Sequence, residues 1–530
     1  MSDTVTGGTN HTVPVLERLI ARGERDALVQ EGRRIGGAEA ARTALRFAAG
    51  LRARGVGEGD GVGLFVDNTP EALLLQLAVH FVGARMVFVL PEPGDAELEA
   101  LVRDSEVALL VFDPVFEERA RRIVGEVPVP QVCGLGPSAL ADDFLAETAD
   151  LAPLPLAEAA DDRLLATVLY TGGTTGRPKL VVHRRRYYQG FLKLAGAFTD
   201  TESPDPTLLI CTLVTHTTGH IAFLLCTLSG HTVVLQRSFD AGAALDTMER
   251  EGVTRMMTVA PMIYELLDHP GCRPGRFPAL RTLHYTGAAA SPARLRQAVE
   301  RFGPVLSQFY GVSECGSISA LLPHEHDLDR PESLTSCGRP GPGVEVEPRD
   351  ERGRPVPVGQ PGEFHVRSLS VMEEYWNDPA RTAEVLDADG WFRTGDIGRV
   401  DADGYLYLMD RARDIVVTGV GADNVYSRLL DDFLAAHPAV REAATVGLPG
   451  RDDREAVHVV LVPLNPARTP DLDLLGHEIT AALGDLYTPV SYSFADALPR
   501  TALGKTDKRA VRAGVLTGRD AVRVPSQKRV

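Results

Sequence analysis

The chain has 530 residues, of which 44% are hydrophobic and 24% are charged. This length exceeds what a single hydrophobic core usually organises, so we expect a globular protein with two or more domains. Acidic residues outnumber basic ones by 72 to 55, which gives a net charge of −17. Such a balance argues against nucleic acid or an anionic membrane as a partner.

Neither a membrane segment nor an export signal is visible in the sequence. No run approaches the roughly 18 apolar residues that span a bilayer, and the N-terminus lacks the basic start and apolar stretch of a signal peptide. The six cysteines show neither a CxxC pair nor zinc-ligand spacing. We therefore expect a cytoplasmic protein with reduced thiols at Cys133, Cys211, Cys226, Cys272, Cys315 and Cys337.

The first part of the chain alternates helix-like and strand-like segments. Residues 37–54 carry apolar side chains at helical spacing, an apolar run follows at 61–66, and residues 70–82 predict a second helix. Further apolar runs of strand length lie at 86–90, 208–213, 232–235 and 255–259. Strands that alternate with helices at this spacing predict an α/β fold with buried parallel sheets.

The pattern changes near residue 362. Residues 363–367 and 404–408 alternate polar and apolar side chains, which is typical of antiparallel strands with one solvated face. A smaller α/β pattern then follows. We place a domain boundary at about residue 412 and expect an N-terminal domain, 1–412, and a C-terminal domain, 413–530, that ends in a loosely ordered tail.

A loop rich in glycine and threonine is the most informative segment. Residues 170–179 read YTGGTTGRPK and follow an apolar run at 164–169 that predicts a buried strand. The glycines let backbone amides turn towards an anion, the threonines add hydroxyl donors, and Lys179 adds a positive charge. The loop therefore suits a polyphosphate, although it lacks the spacing of a Walker A loop.

In this loop the chain resembles the adenylate-forming superfamily, which comprises acyl-CoA synthetases, adenylation domains of peptide synthetases and luciferases. The resemblance extends from about residue 15 to residue 510. It implies a large N-terminal domain of α/β subdomains with a small β-barrel-like part, and a small mobile α+β C-terminal domain. It also implies ATP and Mg²⁺ as cofactors. The implied ATP contacts in the loop are Thr171, Gly172, Gly173, Thr174, Thr175 and Lys179, with Thr174 also catalytic.

Two further segments resemble family motifs around the acid and the adenine. His216, in VTHTTG, matches a His-x-x-Gly motif beside the acid pocket, which makes it a predicted catalytic residue. His220 follows at the i+4 spacing of helical metal ligands, but no third ligand is visible, so we expect a structural or pocket-lining role. Residues 285–290, YTGAAA, resemble the loop beside adenine. Its implied contacts are Gly287, Ala288 and Ala289.

Residues 308–314, QFYGVSE, match a family motif residue by residue. By resemblance, Tyr310 stacks on adenine beside Gly311, Ser313 donates to the α-phosphate, and Glu314 is both a catalytic residue and the metal ligand. A carboxylate suits Mg²⁺, because this cation prefers oxygen ligands together with substrate phosphates. Outside this motif, Glu314 would be interpreted as an ordinary solvated carboxylate.

Four later positions complete the resemblance. In WFRTGD, Asp396 would accept hydrogen bonds from the ribose hydroxyls, and Arg411 resembles the arginine that contacts ribose or phosphate. Arg413 lies where the family has its hinge, usually as Asp or Lys. Lys505, in PRTALGK, resembles the catalytic lysine that bridges the acid oxyanion and the α-phosphate.

Together these motifs imply an AMP-forming ligase that adenylates a small carboxylic acid and passes the acyl group to a thiol, such as that of CoA or a carrier protein. No protein nucleophile is needed, because positioning and charge neutralisation suffice. The alternatives are adenylation of nitrite with transfer to an aryl amine, and amide formation. A non-catalytic relative would lack Glu314 or Lys505, and a luciferase-like oxidase would share every motif but require oxygen.

The segment after the hinge departs from the family pattern. Residues 418–431 are longer by about two residues, Ser427 replaces a proline and Leu429 replaces a glutamate. In relatives this loop helps to shape the thiol channel, so the departure leaves the acceptor open. Polar side chains near the acid site favour a short or hydroxylated acid; they are Thr215, Thr217, Thr218, Ser317 and Ser319.

Overall fold

A computed structural model describes residues 10–161, 166–171, 179–195, 203, 205–287, 290–418, 423–450, 455–465, 467–500 and 506–518. Its helices are α1 (Thr12–Arg22), α2 (Gly37–Ala53), α3 (Pro70–Phe81), α4 (Asp95–Asp104), α5 (Glu117–Glu126), α6 (Phe144–Thr148), α7 (Arg185–Leu194), α8 (Thr217–Leu228), α9 (Ala241–Arg250), α10 (Ala260–Asp268), α11 (Pro292–Phe302), α12 (Pro379–Val385), α13 (Ser427–Ala435), α14 (Leu472–Leu483) and α15 (Lys508–Leu516).

The strands of the first 340 residues are β1 (Asp26–Gln30), β2 (Arg33–Gly36), β3 (Gly61–Phe65), β4 (Arg85–Phe88), β5 (Val107–Phe112), β6 (Gln131–Gly134), β7 (Asp142–Asp143), β8 (Ala166–Thr171), β9 (Lys179–Arg184), β10 (Thr207–Ile210), β11 (Thr232–Leu235), β12 (Arg255–Val259), β13 (Thr282–Thr286), β14 (Leu306–Val312), β15 (Gly316–Leu321) and β16 (Arg339–Pro340). The later strands are β17 (Glu345–Arg349), β18 (Gly362–Arg367), β19 (Glu374–Tyr375), β20 (Phe392–Val400), β21 (Leu406–Arg411), β22 (Val416–Thr418), β23 (Asp423–Val425), β24 (Val440–Pro449), β25 (Glu455–Pro463) and β26 (Ser491–Phe494).

Two large sheets organise the N-terminal part. One has nine strands in the order β16-β15-β14-β13-β12-β10-β11-β1-β2, and the other has eight in the order β19-β9-β8-β4-β3-β5-β6-β7. Their central strands pair in parallel and are buried along almost their whole length, as continuous apolar runs predict. The α/β fold is confirmed. The pairs β8–β9 and β14–β15 are antiparallel, however, so two predicted motifs lie on hairpins inside largely parallel sheets.

The alternation of polar and apolar side chains near residue 362 predicts antiparallel strands. The structure has a four-stranded sheet there, in the order β17-β18-β20-β21. Its pairs β17–β18, β18–β20 and β20–β21 are all antiparallel. The sheet begins at Glu345, earlier than the change in pattern suggests, because β17 alternates less clearly. Asp396 on β20 lies directly opposite Arg411 on β21.

The C-terminal part is a small α+β unit with buried residues of its own. Strands β24, β25 and β26 form one sheet, and β22 pairs with β23. Two apolar clusters drawn only from residues 416–515 pack α13, α14 and α15 against these strands. The boundary at residue 412 remains a prediction that this separate packing supports.

All six cysteines are buried and none forms a disulfide. Burial raises the pKa of each thiol, to about 12 for Cys133, Cys211 and Cys226. Among the described residues, no helix combines the length and hydropathy that crossing a bilayer requires.

Candidate active site

The predicted adenine loop, residues 285–290, and the QFYGVSE motif, residues 308–314, begin at the carboxyl edge of the nine-stranded sheet. Strands β13 and β14 run in parallel, so Gly287 after β13 and Tyr310 near the end of β14 lie at the same edge. Such edges are common ligand sites in α/β folds. Gly287 adopts a φ of +81°, which glycine tolerates at no steric cost.

The QFYGVSE motif turns from β14 into β15 as a tight hairpin. A Cβ at Gly311 would lie only 2.0 Å from the carbonyl oxygen of Gly316, so no larger residue fits without displacing the hairpin. The turn places Ser313 and Glu314 between the paired ends of the two strands. Glycine at position 311 therefore allows the close approach of β14 and β15 that positions Ser313 and Glu314.

Asp396 is fully buried and joins three elements of the site. The Tyr310 hydroxyl donates to its Oδ2 at 2.5 Å, and Arg411 Nε lies 2.7 Å from its Oδ1. Burial, together with the Asp396 charge, raises the pKa of Tyr310. Burial opposes a charged Arg411, but the combined interactions with Asp396, Tyr310, Glu314 and Asp414 outweigh it and raise the pKa of that arginine. The predicted ribose carboxylate is thus held in place by the two residues predicted to contact adenine and ribose or phosphate.

A second cluster joins the phosphate-loop lysine to the predicted metal ligand. Lys179 Nζ lies 3.3 Å from the Tyr375 hydroxyl, which itself donates to Glu314 Oε1 at 2.8 Å. The ammonium group also lies over the Tyr375 ring, 5.0 Å from its centroid. Burial lowers the pKa of Lys179, and the Glu314 carboxylate opposes this effect. Because β9 and β19 belong to the eight-stranded sheet, this cluster bridges the two large sheets.

The cleft beside this cluster has a volume of about 230 Å³. It is lined by Lys179, Glu314, Glu363, Tyr375, Glu384, Val385, Phe392, Arg393, Thr394 and Gly395. Lys179 and Glu314 come from the predicted phosphate and metal motifs, and Thr394-Gly395 directly precede Asp396. The structure therefore brings three separate motifs to one cleft.

Two contributors to this site were missed by sequence reasoning. Tyr375 lies on a two-residue strand with no motif of its own, 61 positions after its partner Glu314. His183 lies on β9 and its Nε2 is 2.6 Å from the carbonyl oxygen of Ser313, within the phosphate motif. Burial lowers the pKa of His183 to about 4, so this imidazole is neutral at pH 7 and donates to the carbonyl. No spacing rule in the sequence indicates either contact.

His216 caps the start of α8. Its Nδ1 accepts from the backbone N–H of Thr218 at 3.3 Å and lies 3.1 Å from the hydroxyl of the same residue. A Cβ at Gly219 would lie 2.3 Å from the Leu213 carbonyl, so the His-x-x-Gly spacing fits a close turn into the helix. This cap fixes the histidine at the loop between β10 and α8.

His220 belongs to a buried polar network. Its Nδ1 lies 2.7 Å from Gln76 Oε1 and its Nε2 lies 3.2 Å from the Tyr188 hydroxyl. Tyr188 stacks on His11 at 4.0 Å, and His80 Nδ1 is 3.3 Å from His11 Nε2. Burial lowers the pKa of all three histidines, so the network is held uncharged. Its contacts give His220 a structural role.

Several predicted site residues lie outside the described part of the chain. They are Gly172, Gly173, Thr174, Thr175, Ala288, Ala289 and Lys505. The residues that flank the phosphate loop are described: Thr171 pairs with Lys179 across β8 and β9. Of the polar residues expected near the acid, Ser319 uses its hydroxyl to bind the Cys337 carbonyl at 2.7 Å.

The residues present are compatible with Mg²⁺. Among the described residues, no group of three or more His, Cys, Asp or Glu side chains could hold a metal by itself. Mg²⁺ is commonly held by one or two carboxylates together with substrate phosphates. Glu314, half-exposed at the cleft and next to Lys179, meets that requirement.

Comparison with known proteins assigns the chain to a family. The model of the AMP-binding enzyme family matches residues 17–376, and that of its C-terminal domain matches residues 430–505. The chain is 36% identical over 498 residues to the medium/long-chain-fatty-acid–CoA ligase FadD8 of Mycobacterium tuberculosis, covering 91% of this chain and 86% of that protein. It is 31% identical over 490 residues to the fatty acid–[acyl-carrier-protein] ligase ScoC of Streptomyces coeruleorubidus, covering 92% of each.

Among solved structures, the amide bond synthetase McbA of Marinactinospora thermotolerans superposes with a TM-score of 0.85 at 35% identity, covering 95% of this chain and 99% of that one. The chain therefore belongs to the AMP-binding, adenylate-forming family. Within that family it is an AMP-forming ligase of the acid–thiol type, which activates an acid with ATP.

Proposed function

We propose that the enzyme adenylates a small carboxylic acid with Mg·ATP and transfers the acyl group to the thiol of CoA or a carrier protein. The observation that carries this proposal is a cleft lined by Lys179, Tyr375 and Glu314 and by Thr394-Gly395, which directly precede Asp396. Lys179, Tyr375 and Glu314 offer a cation and a carboxylate for a metal–polyphosphate, while buried Asp396 offers an acceptor for ribose hydroxyls.

The chemistry requires the chain to orient the phosphates and to neutralise the charge that develops on them. Lys179 supplies positive charge beside the loop that the sequence predicts for phosphate binding. Glu314 would hold Mg²⁺, which when bound neutralises phosphate charge. The Ser313 backbone carbonyl accepts from His183, and this contact holds the segment that carries the predicted α-phosphate donor. Lys505 supplies the lysine at the acid oxyanion by resemblance.

The size of the acid is inferred from the residues around His216. Thr215 is buried, Thr217 and Thr218 are half-buried, and small hydroxyl side chains suit a short or hydroxylated acid better than a long chain. The relative FadD8 is a ligase of medium- and long-chain fatty acids, so a fatty acid of that length is the alternative substrate to be tested.

An amine acceptor is the second candidate, and one observation favours it. The amide bond synthetase McbA is 35% identical and covers 95% of this chain, and residues 418–431, where relatives shape the thiol channel, depart from the family pattern. The relatives named above give no better support to nitrite as the activated acid.

The test is pyrophosphate and AMP formation across a panel of short, hydroxylated, aromatic and long-chain acids, with nitrite included. Each acid is combined with CoA, a carrier protein or an amine. Pyrophosphate that depends on one small acid, with product on a thiol, supports the proposal. Product only on an amine supports the second candidate, and ADP in place of AMP would contradict adenylation.

Lys505→Ala tests the predicted catalytic lysine. Removal of one preorganised charge-stabilising group typically lowers a rate by about 10²–10³, and we expect at least that loss in adenylation. Lys193→Ala, on the exposed side of α7, is the matched control. Adenylation near the wild-type rate in Lys505→Ala would remove this lysine from the mechanism.

A further inference from the structure

A chain of buried and partly buried hydrogen bonds joins the N-terminal part to the helix that follows Lys505. Asp410, at the end of β21, is 3% exposed, and Ser427, the first residue of α13, is fully buried. The Ser427 hydroxyl donates to Asp410 Oδ2 at 2.8 Å and accepts from Lys508 Nζ at 2.5 Å. Lys508 also lies 2.6 Å from Asp431 Oδ2. We call Asp410, Ser427 and Lys508 the serine bridge.

The two buried carboxylates of Asp410 and Asp431 share the positive charge of Lys508 around the serine bridge. Burial raises the pKa of Asp410 and of Asp431, and the Lys508 ammonium opposes both shifts. Asp431 also accepts from the Thr445 backbone N–H at 2.6 Å. A hydroxyl can donate once and accept from other groups, so Ser427 is suited to connect a carboxylate to an ammonium group. Removing its hydroxyl leaves one polar contact fewer on each side.

The serine bridge ends three residues after the predicted catalytic lysine. Lys508 begins α15, Thr506 forms a β-bridge with Arg500, and Asp507 N donates to the Pro499 carbonyl at 2.9 Å. Three residues span at most about 10 Å when fully extended. The serine bridge is therefore close in the sequence to the predicted catalytic lysine.

Ser427 is also the residue that departs from the family pattern. Relatives usually carry proline there, and proline has no hydroxyl that could join Asp410 to Lys508. The start of α13 tolerates proline without loss, since the first helical position has no intrahelical use for its N–H. Formation of α13 therefore does not require the Ser427 hydroxyl.

We propose that the serine bridge is a positioning device that holds the C-terminal part in the orientation described here, and so sets the balance between adenylation and acyl transfer. The proposal rests on the proposed function, because it assumes that the two half-reactions use different orientations of the C-terminal part. Orientations of one chain that differ by a few contacts shift in population when one of those contacts is removed. Ser427, Asp410 and Lys508 are positioning residues in this sense.

The first test needs no turnover. Spin labels on Val358→Cys and Leu464→Cys, which are 69% and 61% exposed in the wild type, report the distance between the two parts. The native cysteines are buried and should not be labelled. The parent is the doubly labelled protein that keeps Ser427. We expect Ser427→Ala and Ser427→Pro to give a distance distribution different from that of the parent. The ratio of the two orientations should change about tenfold, as loss of one hydrogen bond to a charged group allows. Ser427→Thr, which keeps the hydroxyl, should restore it.

Ser493→Ala is the matched control, because Ser493 is a fully buried serine of the C-terminal sheet whose hydroxyl contacts His458 at 3.0 Å within the same part. Its distance distribution should equal that of the parent. The same distribution in Ser427→Ala, Ser427→Pro and the parent would overturn the proposal.

The second test uses the two half-reactions separately, as acid-dependent pyrophosphate release and as transfer from a preformed acyl adenylate. We expect the ratio of the two rates to change about tenfold in Ser427→Ala and to stay constant in Ser493→Ala. Equal slowing of both half-reactions would overturn the proposal, because it indicates a general loss of stability. If the wild type releases no pyrophosphate with any acid, the proposed function fails, while the distance measurement still decides the role of the serine bridge.

Discussion

The Tyr375 hydroxyl offers a direct test of how the site is assembled. It donates to Glu314 Oε1 at 2.8 Å and lies 3.3 Å from Lys179 Nζ, while its ring lies under the lysine ammonium. Tyr375→Phe removes the hydroxyl and keeps the ring, so the contact of Lys179 with the ring is preserved. Glu314 then loses the donor that orients its carboxylate towards the cleft.

The magnitude follows from the charge on the acceptor. A hydrogen bond to a charged group contributes about 1.5–3 kcal/mol, and each 1.4 kcal/mol corresponds to a factor of ten in rate or affinity. Because the hydroxyl is buried between two charged groups, we expect kcat/KM for ATP to fall by about 10- to 100-fold in Tyr375→Phe. The melting temperature should change little, since the ring and its packing remain.

The assay is acid-dependent pyrophosphate release at varied ATP and Mg²⁺ concentrations. Tyr405→Phe is the matched control, because the Tyr405 hydroxyl also donates to a glutamate, Glu325, at 2.8 Å but belongs to no predicted site motif. We expect this control to retain wild-type kinetics. A Tyr375→Phe enzyme within twofold of the wild type would refute the view that Tyr375 positions Glu314.

Three further predictions concern other parts of the molecule. Asp396→Asn removes the charge from the predicted ribose carboxylate and should raise KM for ATP about tenfold or more in the same assay; an unchanged KM would contradict this role. Gly311→Ala places a Cβ 2.0 Å from a backbone oxygen and should cost about 1–3 kcal/mol and slow adenylation, whereas Gly57→Ala, with nothing within 4 Å, should be neutral in melting and rate. Burial lowers the pKa of His80 to about 3, below the unfolded value near 6.5. Protonation of the unfolded chain should therefore lower the free energy of unfolding as the pH falls below 6.5, by about 1.4 kcal/mol per pH unit for this residue. Urea unfolding at pH 7.5 and 5.0 measures that decline, and equal midpoints would contradict it.

Much of the fold could be predicted because the apolar periodicity is strong. The strands predicted at 232–235 and 255–259 coincide with β11 and β12, and the helix predicted at 70–82 differs from α3 by one residue. The hairpin pairing of β8 with β9 could not be predicted in this way, because a buried apolar run does not reveal the direction of its neighbour.

The site was predictable where its residues are adjacent in the sequence. The motifs around Lys179, Glu314 and Asp396 were identified by their resemblance to family motifs, and Lys179, Glu314 and Thr394-Gly395, which precede Asp396, line one cleft. Tyr375 and His183 were missed because their roles depend on contacts across long sequence separations, to Glu314 and to the Ser313 carbonyl. A tyrosine on a two-residue strand carries no periodic signal, so only the tertiary structure reveals it.

The buried cysteines have a consequence for an enzyme that makes a reactive acyl adenylate. Such a mixed anhydride acylates thiolates readily, and Cys315 directly follows the predicted metal ligand Glu314 in the sequence. Its thiol is fully buried, and burial raises its pKa, as it does for the other five cysteines. The six thiols are thus both shielded by burial and protonated near neutral pH, so we expect little self-acylation at cysteine.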